Sequence, residues 1–150
     1  MYPRFSFQVP AAFVAVCLSF MSASSHAAGM VPETPVVVVD QASGEATLNV
    51  RNSDDQPALL YSTIEHIPED PAPLLLLSPP VARVEAGKSQ QVRFILRSVE
   101  PLKTERLQRV VFEGISPRQE GSGAQVHLTV RQNIPVIVRP ANLAIDQIGR

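Results

Sequence analysis

The sequence predicts an all-β domain in which two sheets pack face to face, and three observations indicate it. Short runs rich in valine, leucine and isoleucine recur along the chain, with turn-forming residues between them about every ten residues. The 14 prolines outnumber the 7 glycines and recur between these runs, where they interrupt strands. No long stretch has the apolar period of a helix. About seven strands are therefore expected to form a β-sandwich.

The first 27 residues have the features of a signal peptide. Arg4 precedes an apolar run from Val9 to Met21, and small residues follow at Ser25–Ala27. The run is shorter than the roughly 18 residues that span a bilayer, which favours export over anchoring. Cys17 lies in this run, and Val16 before it does not suit a lipoprotein site. The remaining chain has no cysteine, which excludes disulfides and thiol chemistry there.

Three strands are predicted in the first part of the exported chain. Pro32–Asp40 contains four consecutive valines, which is typical of a strand buried on both faces or lying across two sheets. Glu45–Arg51 alternates apolar and polar residues, as a strand with one buried face does. Leu59–Ile67 is the third predicted strand. Pro68–Pro73 follows it and contains three prolines, so this segment is expected to be a surface connection.

The middle of the chain continues the alternation of short strands and turns. Ser78–Pro80 ends the short apolar run Leu74–Leu77, and Val81–Glu85 resumes as a strand. A turn at Ala86–Lys88 then leads to a strand at Gln91–Arg97.

Two loops and a strand precede the last strand. The polar segment Glu100–Arg106 is expected to form a loop or a single helical turn. Arg109–Ile115 follows as a strand, and Ser116–Gly123 is a loop rich in serine, proline and glycine.

The last strand, Gln125–Val138, has a feature that core formation alone does not require. Its apolar residues occupy alternate positions and share one face: Val126, Leu128, Val130, Ile134, Val136 and Val138. Pro135 has no amide hydrogen, so strand pairing is interrupted there or the residue lies at an edge. An apolar stripe on an edge strand needs a cover, and a partner that adds its own strand can supply it. Periodicity alone favours the simpler interpretation that the stripe lines a core.

Chain length and strand spacing match an immunoglobulin-like sandwich. The chain has 150 residues. Without the signal peptide about 120 remain, which is enough for a single packed core. The Cys, Trp, Cys pattern of antibody domains is absent, so only the architecture is implied.

Charge and motifs argue against several function classes. The net charge is -1 with no block of like charges, so neither nucleic acid nor an anionic membrane is an expected partner. His66 and His127 are far apart and lack Cys or His neighbours at ligand spacing, so no metal or other cofactor is expected. The sequence contains no G-x-S-x-G, P-loop or Rossmann motif. We therefore expect a protein partner and no enzymatic activity.

The remaining charged clusters have simple structural interpretations. Glu65, Glu69 and Asp70 lie in or beside the proline-rich segment and are more simply a solvated turn than an acid and base pair. Arg106 and Arg109 are expected to form a solvated face.

Several short motifs, taken in order, resemble those of the periplasmic chaperones of the chaperone/usher pilus pathway. Three consecutive segments are similar to that family's "TPP, R-x-E-P-G, x-V-R" stretch: Ser78–Pro80, Val81–Gly87 and Val92–Phe94. Two later segments, Ile115–Pro117 and Arg139–Pro140, match further landmarks of the family. The resemblance covers residues 28–140 and implies the family's immunoglobulin-like amino-terminal domain.

The resemblance implies a periplasmic protein that binds pilus subunits. A pilus subunit is an incomplete sandwich, and such a chaperone lends its last amino-terminal-domain strand to the open groove, here through Val126, Leu128 and Val130. It then delivers the subunit to the outer-membrane usher, and no small-molecule substrate is implied. The patch that faces the usher maps onto six residues: Leu59, Tyr61, Pro79, Pro80, Ile115 and Pro117.

The chain departs from the family pattern at the anchor of the subunit's terminal carboxylate. The family uses an arginine in the first strand and a lysine shortly before the Arg-Pro landmark, since paired cations bind a carboxylate strongly. The matching positions hold Val36, or a neighbouring valine, and Pro135. Arg131 or backbone amides are then the candidates, unless this branch anchors the subunit differently.

The resemblance also implies a second domain after the linker Arg139-Pro140. Ala141–Arg150 would be only its start, so a truncated chaperone without function of its own is a competing hypothesis. A structural pilus subunit and a generic extracytoplasmic binding module are two more. Gly29–Pro32 is too short for the donor extension of a pilus subunit, which counts against a subunit.

Overall fold

The computed structural model describes residues 29–98, 100–117 and 129–142, and within these ranges the chain forms two packed β-sheets. The strands are β1 (Met30–Pro32), β2 (Val37–Asp40), β3 (Glu45–Asn52), β4 (Ala58–Glu65), β5 (Leu75–Ser78), β6 (Val81–Val84), β7 (Ser89–Leu96), β8 (Arg106–Ile115) and β9 (Arg131–Arg139). The four-stranded sheet has the order β1-β3-β7-β5, and the five-stranded sheet has the order β2-β9-β8-β4-β6. The predicted all-β sandwich is confirmed, with nine described strands instead of about seven. None of the described residues forms a helix that could cross a membrane.

The first predicted strand is in fact two strands in different sheets. β1 pairs antiparallel with β3 in the four-stranded sheet, and β2 pairs parallel with β9 in the five-stranded sheet. Within the valine run, Val37 and Val39 are buried whereas Val36 and Val38 are exposed. The chain therefore lies across two sheets, as one of the two interpretations predicted. The alternative of burial on both faces is wrong because the outer face of β2 is open to solvent.

The core lies between the two sheets and is built from alternate residues of each strand. Leu48 and Val50 on β3 and Val92 and Phe94 on β7 are at most 2% exposed, as their alternation predicted. Phe112 on β8 is fully buried against them from the opposite sheet. The predicted turn between β6 and β7 contains Gly87 at a φ of 69°, a conformation that glycine adopts without strain.

The proline-rich connection between β4 and β5 is held to the sandwich by an ion pair. Arg106, the first residue of β8, donates two hydrogen bonds from Nε and Nη2 to the carboxylate of Asp70. Gln108 is buried and its Nε2 donates to the backbone oxygen of Ala72 at 3.1 Å. The connection is at the surface as expected, but Asp70 is only 8% exposed and is not part of a solvated turn.

The same contacts correct two other sequence expectations. β8 begins at Arg106, three residues before the predicted start at Arg109. Both arginines are half-buried, so the expected solvated face is wrong. The reason is that each guanidinium reaches a polar group on a segment distant in sequence, which a local charge pattern does not reveal.

We predict that Asp70→Asn lowers the free energy of unfolding near neutral pH by about 1.5–3 kcal/mol, the usual contribution of hydrogen bonds to a charged group. The hydrogen bonds from Arg106 hold the pKa of Asp70 below its ordinary value of 3.8, against the effect of burial. Since the folded pKa is the lower one, the stabilisation is complete above the ordinary pKa and is lost as the pH falls through the folded value. Urea unfolding from neutral to strongly acidic pH measures both effects.

A matched control is Glu85→Gln, which breaks the exposed pair of Arg83 and Glu85, whose side chains are 61% and 60% exposed. This change should alter stability by less than about 0.5 kcal/mol, because solvent screens an exposed pair. If Asp70→Asn were as stable as the wild type at neutral pH, the pair would have no net stabilising role.

Candidate functional site

The edge of the five-stranded sheet is open beside the first half of β9. β9 pairs with β8 along its whole length, from Arg131 opposite Glu113 to Val138 opposite Arg106. Its parallel pairing with β2 begins only at Val136, opposite Val37. Among the described residues, 131–135 therefore have a paired strand on one side only. The prediction of an edge at Pro135 is confirmed, and the proline is the last residue of the open edge.

The inner face of β9 loses its cover towards the amino end of the strand. Ile134, Val136 and Val138 are 7%, 0% and 0% exposed and line the core, as their common face predicted. Val130 lies four residues before Ile134, at a position of the same face, and is 42% exposed. The described strand begins after it, at Arg131, whereas the predicted strand began at Gln125. Val126 and Leu128 lie outside the described residues.

A second exposed apolar surface lies on the outer face of the five-stranded sheet. Leu59 on β4 pairs with Ile115 on β8, and Tyr61 on β4 pairs with Val81 on β6. These four side chains are 43%, 47%, 43% and 48% exposed, respectively. We call them the outer patch. Sequence reasoning missed Val81, although its position at the start of a strand directly after Pro80 was the available signal.

The three prolines assigned to the same surface lie around the outer patch. Pro80 is exposed, and its backbone oxygen accepts a hydrogen bond from the Ser62 amide at 2.8 Å, next to Tyr61. Pro79 is half-buried, and its peptide bond with Ser78 is cis. Pro117 is exposed after the end of β8.

A shallow hollow adjoins the outer patch. Its volume is about 270 Å³, and seven residues line it: Pro57, Ala58, Leu59, Arg83, Ile115, Ser116 and Pro117. The hollow is mostly apolar with one cation at its wall, and Arg83 is paired there with Glu85 at 2.8 Å. Such a surface suits a partner that buries an apolar side chain.

The residues considered for a carboxylate anchor lie in different places. Val36 is exposed and directly precedes β2, and Pro135 lies opposite Arg109 on β8. Arg131 is at the other end of the open edge from Pro135, with its Nε 3.6 Å from a carboxylate oxygen of Glu113. Val36 and Pro135 thus leave the end of the open edge near β2 apolar, and Arg131 is distant from it along the strand.

The carboxyl end of β9 is fixed by charges. Arg139 is the last residue of the strand, with its Nη1 3.7 Å from Asp40 and its Nε 3.3 Å from Glu105. Pro140 follows and is buried. Arg139, assigned to a linker on sequence grounds, therefore belongs to the sheet.

The described residues offer no set of groups for metal chemistry. No cluster of three or more His, Cys, Asp or Glu side chains within these ranges could hold a metal ion. His66 is exposed after β4, and His127 lies outside the described residues. The notable surfaces are instead a strand edge and an apolar patch, which are features of protein recognition.

The chain is similar to chaperones of pilus assembly. Residues 29–144 match the model of the pili and flagellar-assembly chaperone PapD N-terminal domain. The uncharacterized fimbrial chaperone YhcA of Escherichia coli K12 is 49% identical over 123 residues, which cover 81% of this chain and 54% of YhcA. The chain thus spans little more than half the length of this relative.

Two solved structures share the fold. The Salmonella enterica SafA pilin in complex with the SafB chaperone matches with a TM-score of 0.68 and 24% identity, covering 81% of this chain and 59% of that one. The periplasmic chaperone SfaE matches with a TM-score of 0.61 and 22% identity, covering 75% and 58%. The match to the family model covers most of the chain, and the architecture agrees with it. The chain therefore belongs to the family of pilus and fimbrial chaperones of the chaperone/usher pathway, as a PapD-type amino-terminal domain without enzymatic activity.

Proposed function

We propose that this chain acts in the periplasm as a chaperone domain that binds pilus subunits by sharing its last strand and presents them to the outer-membrane usher. The observation that carries the proposal is the open edge of β9 at residues 131–135, next to an apolar face that is exposed at Val130. The features of a signal peptide in the first 27 residues support the location.

Strand addition uses unpaired backbone groups and a row of alternate side chains, and an open strand edge beside an apolar stripe supplies both. Backbone N–H and C=O groups along the edge give affinity, and alternate side chains that enter pockets of the partner give specificity. Val126, Leu128 and Val130 are the side chains proposed for the partner's groove. Each would contribute about 1.5–3 kcal/mol if it were fully buried. A strand that lined only the chain's own core would not leave Val130 exposed.

The relatives favour a chaperone over a pilus subunit. The SafA pilin and its SafB chaperone are seen together in a complex that shares this fold. The 49% identity is to a fimbrial chaperone, not to a pilin. A pilus subunit or a generic binding module therefore has no observation in its favour.

The outer patch is proposed as the surface that contacts the usher. In the sheet order β2-β9-β8-β4-β6, the patch covers β8, β4 and β6, whereas the open edge belongs to β9. A subunit paired along β9 would leave the patch accessible. Two partners can therefore bind at once, which delivery of a subunit requires.

We predict that Leu128→Asp abolishes retention of pilus subunits, because the charge cannot enter an apolar groove without a large desolvation penalty. Thr129→Asp is the matched control, since its side chain points to the opposite face of the strand. Co-purification from periplasm that co-expresses the subunits measures retention, and circular dichroism checks folding.

Wild type and Thr129→Asp should retain a subunit, and Leu128→Asp should lose it while remaining folded. Unfolding of Leu128→Asp would instead identify Leu128 as a core residue. Equal retention by all three proteins would contradict strand sharing.

A second prediction concerns the outer patch. Leu59→Asp should weaken the binding of a subunit-loaded chaperone to purified usher at least about tenfold, the equivalent of 1.4 kcal/mol, because it places a charge in the apolar contact. Thr63→Asp lies on the same face of β4, beyond Tyr61 and further from the hollow, and should leave usher binding unchanged. Biolayer interferometry with immobilised usher measures both.

Neither change should reduce capture of the subunit, since the open edge is on another strand. If Leu59→Asp lost the subunit as well, the patch would belong to the subunit site. Unchanged usher binding would contradict the assignment of the patch.

A further inference from the structure

One polar residue interrupts the apolar inner face of β9. Alternate positions on this face carry Val130, Ile134, Val136 and Val138, and Gln132 occupies the position between Val130 and Ile134. The side chain of Gln132 is half-buried, whereas Ile134, its neighbour on this face, is only 7% exposed. A polar group on an otherwise apolar face is a departure from the strand pattern that core formation does not require.

The side-chain amide of Gln132 has no hydrogen-bond partner among the residues that the structure describes. Its cross-strand neighbour on β8 is Phe112, which is fully buried and has no polar group in its side chain. The next residue, Asn133, lies on the outer face and is bonded to both Arg109 and Glu65. Because a glutamine amide carries two N–H donors and an acceptor oxygen, Gln132 keeps its full capacity for a polar group of a partner.

Gln132 lies where the core of this chain ends. Met30 fills this end of the core, since it is 1% exposed and a Cβ on Gly114 of β8 would lie 3.0 Å from its Cγ. Beyond Gln132, towards the amino end of β9, Val130 is 42% exposed. Apolar residues after Gln132 therefore line the chain's own core, and those before it are the ones proposed for the partner's groove.

The apolar residues proposed for the partner's groove do not fix the register of docking by themselves. Val126 and Val130 are identical, and Leu128 between them is also aliphatic. A slip of the partner by two residues keeps every side chain on its face and gives each pocket another aliphatic side chain. Gln132 removes this equivalence, because such a slip moves its amide into an apolar pocket, where an unpaired polar group is costly. A single buried asparagine fixes the register of coiled coils through the same penalty.

We propose that Gln132 sets the register of strand sharing by forming a hydrogen bond with a polar group of the pilus subunit at the boundary between the two cores. This inference rests on the proposed function, because it requires a subunit strand along β9. The aliphatic side chains before Gln132 supply affinity in any register that fills the pockets. The amide of Gln132 selects the one register in which it is paired, so Gln132 is a specificity-determining residue.

The test measures the register with an engineered disulfide. Cys17 lies in the predicted signal peptide and the rest of the chain has no cysteine, so Thr129→Cys introduces a single thiol at an exposed position beside Val130. Single cysteines are placed at successive positions of the strand that a co-expressed pilus subunit pairs with β9. A slip by two residues displaces the partner by about 6.8 Å, which moves the two Cα atoms out of disulfide range. Non-reducing gels of the periplasmic complexes show which positions form a cross-link.

The chain with Gln132 in place should form the cross-link at one subunit position only. Gln132→Leu should add a cross-link two residues away, and it should retain about tenfold less subunit in competition with the wild type, because the subunit's polar group is left unpaired. Gln90→Leu is the matched control. Gln90 is also a half-buried glutamine, but it lies on β7 in the other sheet, with its Nε2 bonded to the Gln91 oxygen at 2.7 Å. This control should keep the single cross-link.

Thermal melts show whether each variant is folded, and Gln132→Val gives the same test with a smaller apolar side chain if Gln132→Leu does not fold. A single cross-link in the folded Gln132 variants would overturn the role of Gln132 and leave strand sharing intact. A second cross-link in Gln90→Leu as well would also overturn it, since the register would then not depend on Gln132. A folded wild type that retains no subunit would overturn strand sharing on β9, and with it the proposed function.

Discussion

The structure depends on the register in which β9 lies between β8 and β2. β8 supports β9 along its full length, while β2 joins it only from Val136 onward. The second half of the strand is therefore locked inside the five-stranded sheet, with Val136 and Val138 fully buried in the core. The first half keeps one row of backbone groups open. A single strand is thus both a structural element and, in the proposed function, the binding surface.

The start of β2 sets the length of the open edge, and the path of the preceding chain sets the start of β2. Glu33 directly follows β1 and is still held to β3, with its amide bonded to the Asn49 oxygen at 3.0 Å and its carboxylate accepting a hydrogen bond from the Asn49 side chain. The chain then crosses to the other sheet before Val37 pairs with β9. A longer β2 would close the edge, and a shorter one would extend the open edge past Val136. The crossing between sheets thereby defines where the open edge ends.

The two candidate surfaces occupy different parts of the five-stranded sheet, one on its outer face and one at a strand edge. The outer patch lies on the outer face of β8, β4 and β6, and the open edge lies at β9. The network of Glu65, Arg109 and Asn133 is a polar strip that crosses the same outer face from β4 to β9. A substitution in the outer patch can therefore alter its apolar contacts without altering backbone pairing at the open edge of β9. This arrangement suits a domain that holds one partner while meeting another.

Much of this could be read from the sequence, because local pattern determines which face of a strand is buried. The strand period alone identified the inner faces, which carry Leu48 and Val50, Val92 and Phe94, and Val136 and Val138. Pro135 marked the edge because it has no amide hydrogen. Tertiary structure alone decided which strands are neighbours. Arg106 reaches Asp70 across 36 positions of sequence, and Arg109 reaches Asn133 across 24. Such partners are set by sheet order and register, which depend on the packing of the whole sandwich and have no local signature in the chain.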